Sequence, residues 1–152
     1  MKNIPINKEV IISRLSEIEK DLDKLSKFKD FSIQKFEEND NFAIAEHYLR
    51  RALEAVFDIG NHILSRVPGL RVTTYKDIAI NLGKENILPE EFISEKLIKM
   101  AGYRNRLIHF YSEISIEEIF NIIKFELTDF QEFSMYIKRI IVNPEDFGFT
   151  VI

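Results

Sequence analysis

The sequence predicts an all-α fold, an antiparallel bundle of about five helices, from three observations. Apolar residues recur every three or four positions through several long stretches, as they do on the buried face of a helix. Residues that start and stop helices separate these stretches. No segment alternates apolar and polar residues convincingly enough to predict a sheet. The 152 residues fit one domain with a sizeable core, and we assign residues 1–142 to the helical domain and residues 143–152 to a C-terminal tail.

Composition and charge exclude several classes of protein. The net charge of -4 and the pI near 5.5 argue against a general nucleic-acid coat, because phosphate contacts dominate such binding. The chain has no cysteine, which excludes disulfides and thiolate chemistry. It has no apolar run of about 18 residues, so we expect no membrane span. The amino terminus lacks the apolar core of a signal peptide, which predicts a cytoplasmic protein.

The first predicted helix begins near Asn7, a suitable N-cap residue. Its apolar stripe has spacings of four, three, four and three and consists of Ile11, Leu15, Ile18, Leu22 and Leu25. This pattern is typical of an ordinary bundle helix, and too few heptads are present to favour a coiled-coil partner surface. Residues 27–41 are mostly polar and form either a turn or the start of the next helix.

The longest periodic stretch runs from Asn41 to Arg66 and predicts the second helix. One face of this helix is apolar, and a Val-Pro-Gly sequence ends it. Small residues, Gly60 among them, allow another helix to approach closely. His62 either makes a structural hydrogen bond inside the bundle or lies in an active cleft. His47 is expected on the surface.

Helix start signals predict three further helices. Thr74 caps a short third helix. Pro89 opens the fourth, because proline is favoured at the first helical position. Ser115 and Glu118 form a capping box that starts the last helix, whose apolar stripe runs to Ile140 and which is expected to end before Asn143.

The fourth helix leads into residues 99–111, KMAGYRNRLIHFY, where the chemistry-bearing side chains are concentrated. A cation, an imidazole and a phenol lie within eight residues here, on Arg104, His109 and Tyr111. From Lys96 to Tyr111 there are four Lys or Arg residues and no Asp or Glu, although the whole chain is acidic. This local reversal of charge predicts a small anion-binding site.

Helix geometry limits how the motif side chains can meet. Arg104 and His109 are five positions apart, so an ideal helix separates them by roughly 140° around its axis and about 7.5 Å along it. They can converge on one phosphate at a frayed helix end or where two copies of the segment face each other. The capping box that follows predicts that His109 and Tyr111 lie at or near a helix end. Gly102 either packs within the chain or lets a second subunit approach.

Each motif residue has a chemical reason to be there. Arginine offers a planar fork of donors that matches phosphate oxygens, and histidine takes and returns protons near neutral pH. Together they suit attack of an RNA 2′-hydroxyl on the adjacent phosphate, with His109 moving the proton and Arg104 stabilising the developing charge. This chemistry needs no metal. Tyr111 can hold a phosphate, orient His109 or be modified, and Arg106 either binds phosphate or stays solvated.

Residues 104–111, RNRLIHFY, fit the pattern R-x-x-x-x-H-x-Y and resemble the signature of the HEPN superfamily, in particular its HepT-like toxin branch. Residues 52–64, ALEAVFDIGNHIL, resemble the long second helix of that branch. The segments Tyr75-Lys76-Asp77 and 99–105 also fit the branch, in the same order. The resemblance covers roughly residues 7–140.

The resemblance implies an all-helical, usually homodimeric, metal-independent endoribonuclease that acts as a toxin beside a minimal nucleotidyltransferase antitoxin. Arg104 and His109 match the family's catalytic pair, and Asn105 matches its supporting polar residue. Tyr111 matches the tyrosine that the partner adenylylates from ATP to silence the toxin. The expected partners are therefore an RNA substrate, the cognate nucleotidyltransferase and a second copy of the chain, with no cofactor.

Other interpretations of the motif stay open at this point. The chain can be a non-catalytic module that binds a nucleotidyltransferase and presents Tyr111 to it. It can also be a helical scaffold that only dimerises. The simplest interpretation of the motif is that Arg104, Arg106 and His109 are a solvated helix face and that Tyr111 is a half-buried packing residue.

Overall fold

Two long helices form the centre of the bundle. The computed structural model of the protein describes residues 3–109 and 114–152. Helix α1 (Lys8–Ser26) begins after Asn7, whose side chain accepts a hydrogen bond from the backbone N–H of Val10, as predicted. It packs most extensively against α3 (Asn41–Leu64), and the predicted apolar stripe of α1 is buried against the core.

The polar segment between these helices is a turn followed by the short helix α2 (Ile33–Phe36), which Ser32 caps. The turn alternative was therefore correct, and α3 starts only at Asn41. Phe36 is fully buried, and its ring contacts the ring of Phe42 edge to face. Aromatic packing thus fixes α2 to the start of α3.

Helix α4 (Tyr75–Lys84) begins at Thr74, whose hydroxyl accepts a hydrogen bond from the backbone N–H of Asp77, as predicted. It lies close against α3 at Gly60. A Cβ on Gly60 would lie 2.7 Å from Cγ2 of Ile78, which is too close for two carbon atoms. The small residue is therefore what allows α4 to approach, as the sequence predicted.

The motif helix is built from three consecutive segments. The short helix α5 (Glu90–Phe92) follows Pro89, a π-helical turn (Ile93–Leu97) comes next, and α6 (Ile98–Ile108) carries the motif. Contacts with α3 and α4 hold α6 in place.

The expectation of one continuous last helix is wrong. The capping box of Ser115 and Glu118 starts α7 (Ile116–Phe125) as predicted, but a second helix, α8 (Leu127–Val142), follows a break at Glu126. The Glu126 carboxylate accepts a hydrogen bond from the hydroxyl of Tyr103 and pairs with Lys99 at 2.8 Å. Because both partners lie on α6, the break is stabilised by contacts with the motif helix.

A small sheet, which the sequence did not predict, joins the two ends of the chain. Strand β1 (Ile4–Ile6) pairs in parallel with β2 (Phe149–Val151), and Ile4 lies opposite Phe149. A 3-10 helix (Pro144–Phe147) leads from α8 into β2. Within residues 3–109 and 114–152, no helix has the length and apolar character needed to cross a membrane.

A candidate active site at the end of the motif helix

His109 lies just outside the helix that carries the motif. Helix α6 ends at Ile108, and His109 has an extended backbone with φ -91° and ψ 116°. Its backbone N–H still donates to the carbonyl of Asn105, at 3.2 Å, which holds the exposed residue against the last turn. The prediction that His109 lies at a helix end is confirmed. The direction of its imidazole is therefore not set by ideal helical geometry.

His109 lines an open cavity of about 310 Å³ between α3 and the end of α6. The wall from α3 consists of Phe42, Glu46 and Arg50, each one helical turn from the next. The remaining lining residues are Arg106, Leu107, Ile108, His109 and Ile114. The cavity therefore brings the imidazole together with two guanidinium groups and one carboxylate.

Arg104 is held elsewhere. Its guanidinium carbon lies 3.8 Å from the centre of the Tyr75 ring, in a stack at the start of α4. Among the described residues its Nε is buried and has no hydrogen-bond acceptor. Tyr75 also lines a second cavity, of about 220 Å³, with Asp58 and Asn61 from α3. Within one chain, Arg104 does not line the cavity that His109 lines.

Arg106 is tied to the helix that follows the motif. Its Nη2 lies 2.8 Å from Oε1 of Glu118, and its Nη1 contacts the other carboxylate oxygen. The hydrogen bonds from Arg106 are the main reason that the pKa of Glu118 falls from 4.5 to about 2. Arg106 is therefore not simply solvated, and its ion pair joins the end of α6 to the start of α7.

The positive charge of the motif stretch is largely offset by contacts that the sequence does not reveal. Lys96 bridges Glu132 and Asp129 on α8, and Lys99 pairs with Glu126. The two lysines therefore do not contribute free charge to the predicted anion-binding site, because acidic side chains of later helices pack beside them.

Two residues of the cavity were missed at the level of sequence. Glu46 and Arg50 lie off the apolar line of α3, and a charged residue there is ordinarily assigned to the solvated face. The signal that could have found them is their spacing from Phe42, since residues four apart share one side of a helix. Only the tertiary contact of α3 with α6 shows that this side faces His109.

The other histidines have structural positions. Nε2 of His62 accepts a hydrogen bond from the backbone N–H of Asn7 at 3.1 Å, so the structural alternative was correct. His47 is exposed, and its ring contacts the Tyr48 ring edge to face. In the part of the chain that the structure describes, no group of three or more His, Cys, Asp or Glu residues is arranged to hold a metal ion.

Three further expectations have different outcomes. Apart from its own helix backbone, a Cβ on Gly102 would meet no atom of the described residues within 4 Å, so the alternative of a packing glycine is wrong. Asn105 is half-buried on α6, and its supporting role stays a prediction. Tyr111 lies outside the described residues, so its role also stays a prediction.

Comparison with known sequences gives a family and two informative relatives. A family model described as "Ribonuclease HepT-like" matches residues 18–137. The tRNA nuclease HepT of Aphanizomenon flos-aquae is 33% identical over 132 residues, which cover 86% of this chain and 87% of that protein. The mRNA nuclease HepT of Shewanella oneidensis is 32% identical over 140 residues, which cover 91% of this chain and 98% of that protein.

Solved structures share the fold. The tri-AMPylated HEPN toxin of Shewanella oneidensis, in complex with an MNT antitoxin, matches with a TM-score of 0.77 at 23% identity, covering 87% of this chain and 98% of that chain. A cytosolic protein of unknown function from Bacillus subtilis, YutE, matches with a TM-score of 0.73 at 22% identity, covering 91% of each chain. The prediction of an all-α helical bundle is confirmed.

Proposed function

The chain belongs to the HepT-like ribonuclease family, and from this premise we propose that it is a toxin endoribonuclease that cuts RNA at His109. The observation that carries the proposal is the position of His109, which is exposed at a helix end and lines an open cavity with arginine side chains. Two relatives named as nucleases, each more than 30% identical along most of the chain, support it.

The proposed reaction uses the RNA's own nucleophile and needs no metal. His109 accepts the proton of a ribose 2′-hydroxyl, whose oxygen forms a bond to the adjacent phosphorus. The bond from phosphorus to the 5′-oxygen of the next nucleotide breaks, and that oxygen takes up a proton. The products are a 2′,3′-cyclic phosphate and a free 5′-hydroxyl.

Arg104 is proposed to stabilise the charge on the phosphate oxygens during this step. Since Arg104 does not line the cavity of His109 in its own chain, the two groups meet where two copies of the chain face each other. Gly102, whose absent side chain leaves open space on α6, supports a close approach of that kind. Asn105 is the supporting polar residue next to Arg104. Arg106 supports the site by fixing α6 to α7 through Glu118.

We also propose that a cognate minimal nucleotidyltransferase silences the toxin by adenylylating Tyr111. In that step the tyrosine oxygen loses its proton to solvent and bonds to the α-phosphorus of ATP. The bond from that phosphorus to the oxygen bridging the β-phosphate breaks, and the β- and γ-phosphates leave as pyrophosphate. The proposal is supported by the similar fold of the tri-AMPylated toxin bound to an MNT antitoxin. An adenylyl group two residues from His109 adds a negative charge that opposes RNA binding.

The test is cleavage of RNA by the purified protein in excess EDTA. We expect products that end in a 2′,3′-cyclic phosphate, and we expect His109→Ala to abolish them. His47→Ala is the matched control, because His47 is an exposed histidine outside the cavity, and it should cleave as the unaltered protein does. Undiminished cleavage by His109→Ala would overturn the assignment.

The separation of Arg104 from the cavity of His109 favours one alternative, a non-catalytic module that only presents Tyr111 to a nucleotidyltransferase. Incubation with the partner and ATP would then add one or more adenylyl groups at Tyr111, measured by mass spectrometry. The alternative requires that the same protein, before modification, never cuts RNA.

A further inference from the structure

We propose that Arg50 of α3 binds a phosphate of the RNA backbone next to the one that is cut at His109. The inference rests on the proposed ribonuclease function and adds a substrate-binding residue to it. Arg50 is half-buried, and its side chain lines the same cavity as His109. Helix α3 is the longest helix of the described chain and is packed against α1, α4 and α6, so it holds Arg50 on a rigid support.

Arg50 differs from its neighbours in having no partner among residues 3–109 and 114–152. Among the described residues, no hydrogen bond or ion pair involves Arg50. By contrast, Arg51 pairs with Glu17 at 2.7 Å, and Arg106 pairs with Glu118. Glu46, one turn before Arg50, lies beyond ion-pair distance of it. A guanidinium that lines a cavity with all its donors available is suited to an anionic ligand.

The geometry of RNA supplies that anion. Every nucleotide carries a phosphate, so a strand that places one phosphate at His109 also brings a neighbouring phosphate to the wall of the cavity. Glu46 on the same wall repels phosphate and accepts hydrogen bonds from ribose hydroxyls or base amino groups. The wall of α3 therefore offers one position that attracts the backbone and one that does not.

The test separates binding from cleavage by using RNA that cannot react. Fluorescence anisotropy measures the affinity for a 2′-O-methyl RNA oligonucleotide, which lacks the nucleophile, over a series of salt concentrations. Arg50→Ala should weaken binding about tenfold, because a charge-assisted contact is lost. The slope of log K against log salt should fall by about 0.7, the value for one phosphate contact to a single strand. Arg50→Lys should keep the slope and recover part of the affinity.

Arg71→Ala is the matched control, because Arg71 is an exposed arginine outside the cavity. Its replacement by alanine removes the same charge as Arg50→Ala does. It should leave affinity and slope nearly unchanged. Arg50→Gln is measured alongside, and the melting temperature of each variant shows whether it is folded. With unmodified RNA, Arg50→Ala should raise KM more than it lowers kcat, whereas His109→Ala should lower kcat.

Each outcome decides something different. If the protein cuts RNA and Arg50→Ala binds as Arg71→Ala does, the role of Arg50 is overturned and the ribonuclease proposal stands. If Arg50→Ala weakens binding but no form of the protein cuts RNA, the phosphate contact is supported and the ribonuclease proposal is overturned. If the protein binds no RNA, both are overturned.

Discussion

At the scale of single residues, the direction in which Arg104 points depends on Tyr75. The guanidinium carbon lies over the ring, 3.8 Å from its centre, and the ring itself packs edge to face with the ring of Phe57. A cation held over an aromatic face is stabilised by about 0.5–2 kcal/mol. The proposed charge stabilisation at the phosphate therefore relies on a stack that begins at the first residue of α4.

This stack gives the first prediction. Tyr75→Leu should lower kcat for RNA cleavage by about tenfold, because Arg104 loses the surface that orients it. Tyr75→Phe keeps the ring and should cleave nearly as the unaltered protein does. Steady-state kinetics on an RNA oligonucleotide measure both variants, and equal losses in the two would assign the effect to the hydroxyl instead of the stack.

The second prediction concerns pH and His62. Burial, and to a smaller extent the charge of Arg66, lowers the pKa of His62 below 6.5. The neutral imidazole accepts a hydrogen bond from the backbone of Asn7, and the protonated form cannot. Because the unfolded chain binds the proton more readily, this contribution to stability is complete above pH 6.5 and is lost as the pH falls through the lower folded value.

We therefore expect the melting temperature to fall between pH 7 and pH 5 partly through His62. His62→Ala should have a lower melting temperature at pH 7, because the N–H of Asn7 loses its acceptor. Its melting temperature should nevertheless fall less on acidification than that of the unaltered protein. Differential scanning calorimetry at several pH values measures this, and His47→Ala, which removes an exposed histidine, serves as the control. Parallel curves for His62→Ala and the unaltered protein would contradict the prediction.

At the scale of elements, the approach of α4 to α3 depends on Gly60. An added Cβ would lie 2.7 Å from Cγ2 of Ile78 and 3.1 Å from Cδ1 of Leu82. Gly60→Ala should therefore destabilise the fold by about 1–3 kcal/mol, the usual cost of overpacking a core. Urea unfolding measures it. The double variant with Ile78→Ala should lose less free energy of unfolding than the two single variants do together, because the smaller side chain at position 78 removes the clash. Additive losses would show instead that α3 and α4 are not in close contact at this glycine.

Sequence was sufficient for elements whose signals are local. The apolar spacing of α1, the cap at Thr74 and the capping box at Ser115 each depend on residues within a few positions, and each was predicted. The break at Glu126 was missed because its partners, Tyr103 and Lys99, lie on another helix. The same reason explains the missed pairing of β1 with β2, since two strands of three residues from opposite ends of the chain carry no mutual signal.

The candidate site likewise has features that local signals predict and features that depend on tertiary contacts. The position of His109 at a helix end followed from the capping box, a local feature. The sequence did not predict which cations lie beside His109. Arg106 is paired with Glu118 on α7, and Arg50 comes from α3, so both depend on tertiary contacts. Sequence distance was thus a poor guide to the partners of the imidazole.

At the scale of the whole molecule, the proposed site needs two chains, because Arg104 does not line the cavity of His109 in its own chain. Gly102 offers a way to test this without touching either residue. Its absent side chain faces open space, so within one chain Gly102→Ala should stabilise α6 by about 0.5–1 kcal/mol. At an interface between two motif helices, the same methyl group should oppose association.

Sedimentation velocity over a range of concentrations separates these effects. We expect the unaltered protein to sediment as a dimer. The Gly102→Ala dimer should dissociate at protein concentrations at which the unaltered dimer persists, although the melting temperature of the variant monomer should be no lower. RNA cleavage by the variant should fall in step with its dimer fraction, because each cavity then lacks the guanidinium of a second chain. A protein that cuts RNA while it sediments as a monomer would show instead that one chain completes the site, and the guanidinium groups beside His109 would then be those of Arg50 and Arg106.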